Sequence, residues 1–417
     1  MRFEFATATR IIFGPGAIRE VASLSAEMGK RACVVTGHTI ERAKSLLEQF
    51  KKQGIGYVTF NVVGEPTTST TKTGVELARQ AKSDLVVSIG GGSVLDTGKV
   101  IAVMLTNSGE LEDYLEVVGA GKPLSHSAVP HIAIPTTAGT GAEVTRNAVL
   151  KVPEHQVKVS MRSPLMLPRV AVVDPVLTHS MPPSVTASTG LDALTQLMEV
   201  YVSNKANPLI DSICREGLKR AGRSLRRAYE DGGNQIARED MALASLFSGL
   251  GLANAKLGAV HGFAGPLGGM ISAPHGVICA RLLPFVMDAN VRALQSREAD
   301  SAALARYDEI AQLLTGKAAA QAADGVTWVQ GLCAVLKVPS LAEFGLKEQD
   351  FPTIVAKSQR SSSMKGNPIE LTEDELLEIL KKANLPRRGS GRDASQGAGT
   401  AADRKQRTED RKQRTEN

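Results

Sequence analysis

The chain has 417 residues, 42% hydrophobic and 22% charged, which is length enough for two or three domains with a large core. That excludes a small scaffold held by disulfides, and no apolar run approaches the roughly 20 residues of a membrane-spanning helix, so a soluble protein without a membrane partner is expected. The net charge of +6 sits mostly at the end: residues 386–417 hold nine Lys/Arg against five Asp/Glu, a surplus of four, and the rest of the chain is only +2. With aromatics at 4%, no nucleic-acid surface is expected.

The N-terminal MRFEFATATRIIFG lacks the basic segment and apolar stretch of a secretory leader, which predicts a cytoplasmic setting. Short β-branched runs at 32–36, 57–61, 85–89, 131–134 and 170–173 read as strands. Between them, amphipathic stretches at about 39–53, 70–82 and 94–106 read as helices, the alternation of a doubly wound parallel sheet. Beyond Met181-Pro182-Pro183 the apolar spacing becomes three and four residues, through 185–203, 207–229, 237–256 and 301–315, with no alternating strand. The expected architecture is therefore α/β plus all-α: an N-terminal dinucleotide-binding domain at 1–180, an all-helical domain at 181–385, and a basic tail at 386–417. The tail, in which DRKQRTE occurs twice, is too polar to offset its ordering entropy and is expected to be disordered. The four cysteines, Cys33, Cys214, Cys279 and Cys333, are far apart and form no CxxC pair, and read as reduced core residues.

Three stretches carry chemistry. GGGS at 90–93 follows the strand at 85–89 and opens a helical pattern. Glycines let backbone approach a pyrophosphate, and a helix N-terminus attracts anions through its free N–H groups. Ser93 is the expected N-cap, with Asp96 at the third helical position. A second loop, PTTAGTGAEVT at 135–145, sets four threonine hydroxyls and two glycines at another strand's carboxyl end, beside the same crevice. In the helical half, Asp192 and Gln196 are one turn apart on one face, while His261 and His275 lie in a Gly-rich stretch. A carboxylate and two imidazoles can hold a divalent metal acting as Lewis acid, or can be a helix-capping carboxylate with core histidines.

Taken together, RIIFGPG at 10–16, GGGSVLDTGK at 90–99, PTTAGTGAEVT at 135–145, MPP at 181–183, TGLDAL at 189–194, the two histidine motifs and LPFVM at 283–287 resemble the iron-containing alcohol dehydrogenase family of the dehydroquinate-synthase-like superfamily. The resemblance runs from about residue 10 to 382 and implies an active site in a cleft between the two domains. It implies pyrophosphate contacts from Gly91, Gly92, Ser93 and Asp96, a nicotinamide-side loop at Thr136, Thr137 and Thr140, and further cofactor contacts at Asn147 and Lys158. It also implies a metal set of one Asp and three His, matched by Asp192, His261 and His275, the histidines doubling as catalytic groups.

Two family histidines are replaced. Gln196 stands where the second ligand is usual, and a neutral amide is a poorer ligand than imidazole for Fe²⁺ or Zn²⁺. Gly265 stands where a proton-relay histidine is frequent. The turn after the strand at 32–36 reads Thr36-Gly37-His38 in place of the Thr-Asp of NAD-preferring members, so Gly37 leaves NADP open beside NAD. The resulting expectation is a nicotinamide-dependent, homo-oligomeric oxidoreductase interconverting a small alcohol and its aldehyde or ketone. Alternatives are a metal-independent reductase of a keto or enoyl acid resembling maleylacetate reductase, a lyase resembling dehydroquinate synthase, and a nucleotide-binding protein without catalysis.

Overall fold

The computed structural model describes residues 2–155 and 157–386. The tail expectation falls almost wholly on 387–417, outside the described residues. The strands are β1 Arg10–Phe13, β2 Arg31–Thr36, β3 Gly56–Asn61, β4 Leu85–Gly90, β5 His131–Pro135, β6 Asn147–Val152, β7 Val157–Arg162 and β8 Val170–Val173. Six form one sheet in the order β1-β8-β5-β4-β2-β3, parallel at every pairing, and β6 with β7 makes a separate antiparallel hairpin. Helices α1 Val21–Met28, α2 Lys44–Lys52, α3 Thr68–Gln80 and α4 Gly92–Met104 connect the sheet strands.

Both faces of the sheet are covered, which is why its strands read as unbroken apolar runs. Alternate residues of β4 divide between the faces. Leu85, Val87 and Ile89 pack with Val21, Leu46 and Phe50 of α1 and α2, whereas Val86 packs with Val100 and Val103 of α4. Helix α4 lies unusually close to the strands, because a Cβ on Gly98 would stand 1.8 Å from Ser88 Oγ. Beside that contact, buried His131 on β5 meets Ser88 Oγ through Nε2 at 2.9 Å. Burial, and then the charge of Lys99, pushes the His131 imidazole down to about 3, so it packs as a neutral ring. Lys99 is itself fully buried. An unpaired buried ammonium costs several kcal/mol, but this one donates to Asp96 Oδ1 (3.0 Å), Thr145 Oγ1 (2.8 Å) and the Asn147 carbonyl (2.7 Å). Three acceptors on three segments make it the bolt that joins α4, the polar loop and β6.

Among the described residues no strand follows β8. The helices there are α5 Pro183–Val202, α6 Pro208–Glu230, α7 Gln235–Asn254, α8 Ala259–Met270, α9 His275–Arg297, α10 Ala302–Thr315, α11 Ala322–Val335, α12 Phe351–Gln359 and α13 Glu373–Asn384. Their inward faces share one core in which Leu191, Leu194 and Leu197 of α5 meet Phe263 of α8 and Leu283 of α9. No single helix among the described residues is long and apolar enough to cross a membrane. The α/β and all-α division is as expected, while β1 and the β6–β7 hairpin are additions that the sequence reading did not contain.

Candidate functional site

The triple glycine makes the β4–α4 turn. Helix α4 begins at Gly92 with Gly91 as N-cap, so Ser93 is not the cap that was expected. Ser93 lies inside the first turn because the chain turns into the helix two residues earlier. Asp96 is consequently the fifth helical residue, and its carboxylate is engaged: Oδ1 accepts from Lys99, and Oδ2 accepts from the Val149 N–H at 2.9 Å. Its place is to hold the loop rather than to lie open at its mouth. Gly91 and Gly92 face the threonine loop. A Cβ on Gly91 would stand 3.4 Å from Thr137 Oγ1, and one on Gly92 would stand 3.0 Å from Thr140 Oγ1. Thr136 is tied down by its N–H donating to the Gly90 carbonyl at 2.9 Å, and Arg42 donates to its Oγ1 at 3.4 Å. The two loops therefore form one surface over the α4 N-terminus, where unpaired N–H groups and the helix dipole favour an anion.

The other anticipated cofactor residues lie around this surface. Gly37 follows β2, and a Cβ there would meet only Val94 Cγ2, at 3.8 Å. Asn147 opens β6, and its carbonyl accepts from Lys99. Lys158 on β7 pairs with Glu65 at 2.5 Å and runs along α8, where a Cβ on Gly268 would stand 2.8 Å from its Nζ.

The threonine loop also touches the helical half. Ser248 Oγ on α7 donates to the Gly139 carbonyl at 3.2 Å, and Gly141, in the left-handed conformation at φ 59°, packs on Gly249. A Cβ on Gly139 would stand 2.6 Å from Thr189 Cβ, one turn before Asp192. On α5 the residues Asp192, Gln196 and Glu199 recur at four and three residues and so share a face. His261 is on α8, and His275 opens α9, where a Cβ on Gly276 would stand 2.5 Å from the Ser188 carbonyl of α5. The close packing of small residues brings all three helices to one point.

There His261 Nε2 lies 3.3 Å and His275 Nε2 3.8 Å from Asp192 Oδ1. Cys279, one turn into α9, places Sγ 3.7 Å from His261 Nε2 and 3.6 Å from His275 Nε2. All four cysteines are free and buried, as expected, but Cys279 does not have the inert apolar surroundings the sequence reading gave it. Gln196 Nε2 donates to Asp192 Oδ2 at 3.4 Å. Sequence reasoning also missed Glu199, whose Oε2 accepts from His261 Nδ1 at 2.6 Å while Oε1 accepts from the Val260 N–H at 2.6 Å. A carboxylate can only accept, so Nδ1 donates its proton to Glu199, and Nε2, which faces Asp192 and Cys279, is the nitrogen left to take a cation or a second proton.

Charge shows the same convergence. Burial opposes ionisation of Asp192, yet His275 and His261 outweigh it and hold the carboxyl below the ordinary range. Burial likewise opposes protonation of His261, but Cys279, Glu199 and Asp192 raise it well above the usual value. The Cys279 sulfur is the main influence raising His275, followed by opposing burial and then Asp192. Asp192 Oδ1 and Gln196 Oε1 are buried acceptors without a hydrogen-bond donor. Such orphaned acceptors cost free energy unless a cation or proton lies among them, so the donor set fits a divalent metal.

The family model for iron-containing alcohol dehydrogenase matches residues 8–175, and that for the C-terminal part of the Fe-containing alcohol dehydrogenase family matches 186–384. Alcohol dehydrogenase 4 of Saccharomyces cerevisiae is 35% identical over 380 residues, covering 89% of this chain and 96% of its own. A crystal structure of 1,3-propanediol oxidoreductase superposes with a TM-score of 0.84 at 33% identity, covering 92% of this chain and 100% of that one. Sulfoacetaldehyde reductase from Bifidobacterium kashiwanohense, solved in complex with NAD⁺, gives 0.81 at 28% identity, covering 92% and 99%.

Proposed function

The chain belongs to the iron-containing alcohol dehydrogenase family, and from that premise we propose that it interconverts a small primary or secondary alcohol and its aldehyde or ketone with NAD or NADP, using a divalent ion held by Asp192, His261 and His275 with Gln196 beside them. When bound, the nicotinamide accepts or returns hydride, and the ion polarises the alcohol or carbonyl oxygen. The remaining work belongs to the protein. Gly91, Gly92 and Ser93 at the α4 N-terminus hold the pyrophosphate, and Thr136, Thr137 and Thr140 orient the nicotinamide end. Gly37, without an acidic side chain, admits a 2′-phosphate at the ribose. Glu199 keeps the proton of His261 on Nδ1, so that Nε2 stays a ligand. A homo-oligomer in the cytoplasm acting on small molecules completes the reading.

The observation that carries it is the contact of Gly139 in the threonine loop with Thr189 on α5, one helical turn from Asp192, whose buried Oδ1 lacks a hydrogen-bond partner. Gly265 is one turn after His261, and a Cβ there would meet nothing within 4 Å. That space leaves room for a substrate chain where a relay histidine is frequent. The test is metal content: Asp192→Ala should lose the bound ion and the alcohol-dependent reduction of NAD or NADP together, while still binding the cofactor. Full metal content in this variant would refute the site.

A further inference from the structure

The cluster contains a thiol, that of Cys279, which the family's metal set does not. We propose that Cys279 is the fourth metal ligand of this chain, taking the coordination position that Gln196 cannot fill as well as an imidazole, and that it turns the site toward Zn²⁺ over Fe²⁺. The inference rests on the metal site proposed above, and it concerns which atoms complete that site.

Distances support it. Around a tetrahedral ion, bonds of about 2.0–2.1 Å to nitrogen or oxygen and about 2.3 Å to sulfur give edges near 3.3–3.4 Å between N and O and about 3.5–3.6 Å between N and S. The two N···O separations here are 3.3 and 3.8 Å, and the two N···S separations are 3.6 and 3.7 Å. One atom from each of Asp192, His261, His275 and Cys279 lies within 4.8 Å of every other. Four side chains on three helices thus stand close enough to share one ion, with three of the four printed separations near tetrahedral edges.

Gln196 has a different task. Its Nε2 donates to Asp192 Oδ2, which fixes the carboxylate with Oδ1 turned toward the imidazoles. It acts as a positioning residue, and its own Oε1 faces no donor. The other cysteines have no such surroundings: Cys33 packs within the sheet core, Cys214 packs on α6, and the Cys333 thiol donates to the Ala280 carbonyl at 3.5 Å. Binding forms the sulfur–metal bond as the thiol proton leaves to solvent. One thiolate and one carboxylate then balance the two charges of the ion, and the alcohol oxygen would enter as a fifth ligand, an expansion zinc allows. Thiolate is a soft donor, and it favours zinc over the harder preferences of ferrous iron.

Cobalt reads the ligand directly. The full chain, stripped with chelator and loaded with Co²⁺, should show a near-ultraviolet sulfur-to-cobalt charge-transfer band, absent from Cys279→Ser and retained by Cys333→Ser. In competition, the wild type should retain Zn²⁺ over Fe²⁺, and Cys279→Ser should move that ratio toward Fe²⁺. Stoichiometric Co²⁺ without the band in the wild type would overturn the role of Cys279 and leave the Asp192 site standing. Failure to retain any Co²⁺ would overturn both. An unchanged Zn²⁺ to Fe²⁺ ratio in the variant would refute the selectivity. The wild-type spectrum decides the matter even if a variant folds poorly.

Discussion

Glu199 accepts from His261 Nδ1 and so sets which nitrogen of that ring carries the proton. It lies two turns beyond Asp192 on α5 and caps the start of α8 through the Val260 N–H. Glu199→Gln keeps the shape and halves the acceptor capacity, so metal affinity should fall about 10–100-fold with the fold intact. Unchanged affinity in a metal titration would show that the tautomer is fixed elsewhere. Gly37 is a second residue with a single consequence. Its Cβ space is free, so Gly37→Asp should be tolerated and place a carboxylate at the ribose. The ratio of kcat/KM for NADP over that for NAD should drop by at least about tenfold, since a like-charge contact costs several kcal/mol. A constant ratio would remove Gly37 from cofactor choice.

Asp192, His261 and His275 were legible as a set through the family resemblance, since their spacing alone also fits a capping carboxylate and core histidines. Cys279 and Glu199 were not, for a simple physical reason. A CxxC pattern reveals only cysteines paired closely in sequence, whereas Cys279 is one helical turn from His275, the spacing that joins Asp192 to Gln196. Applying the i, i+4 rule to both helices, and i, i+7 to α5, would have found them. Ser93 misled because serine is a good N-cap by type, while the helix starts at Gly92 with Gly91 as its cap and no side chain bonding to the first turn.

At the scale of elements, α4 is held by a contact that only glycine permits. Gly98→Ala would push a methyl group into Ser88 and His131, so it should cost about 1–3 kcal/mol, or roughly 1–2 °C of melting temperature per kcal/mol for a chain of this length. A variant as stable as the wild type in thermal denaturation would contradict the packing described here. The same tightness explains what the sequence hid. Helix α8 contains four glycines and Pro266, costing about 1 kcal/mol for each glycine and about 3 for the proline against alanine. Propensity therefore argues against a helix, and complete burial of Val260, Phe263 and Leu267 overrides it. The sheet strands were legible because burial on both faces leaves apolar runs. The hairpin was not, since it has no unbroken apolar run: β7 alternates Val157, Val159 and Met161 with Lys158, Ser160 and Arg162, and β6 buries only Ala148, Leu150 and Val152.

For the whole molecule, the loop at 136–141 joins the carboxyl ends of the sheet strands to the helical half, and the proposed function makes these two halves of one site. Neither half suffices: one offers a surface for an anion, the other a nest of ligands. The most direct measurement is reduction of NAD and NADP by a panel of short alcohols, on protein stripped with chelator and then reloaded with Zn²⁺ or Fe²⁺. The account predicts turnover that disappears with the metal and returns on reloading. Turnover that resists a chelator shown to leave no bound metal would contradict it, and would mean that the imidazoles polarise the carbonyl by hydrogen bonds alone.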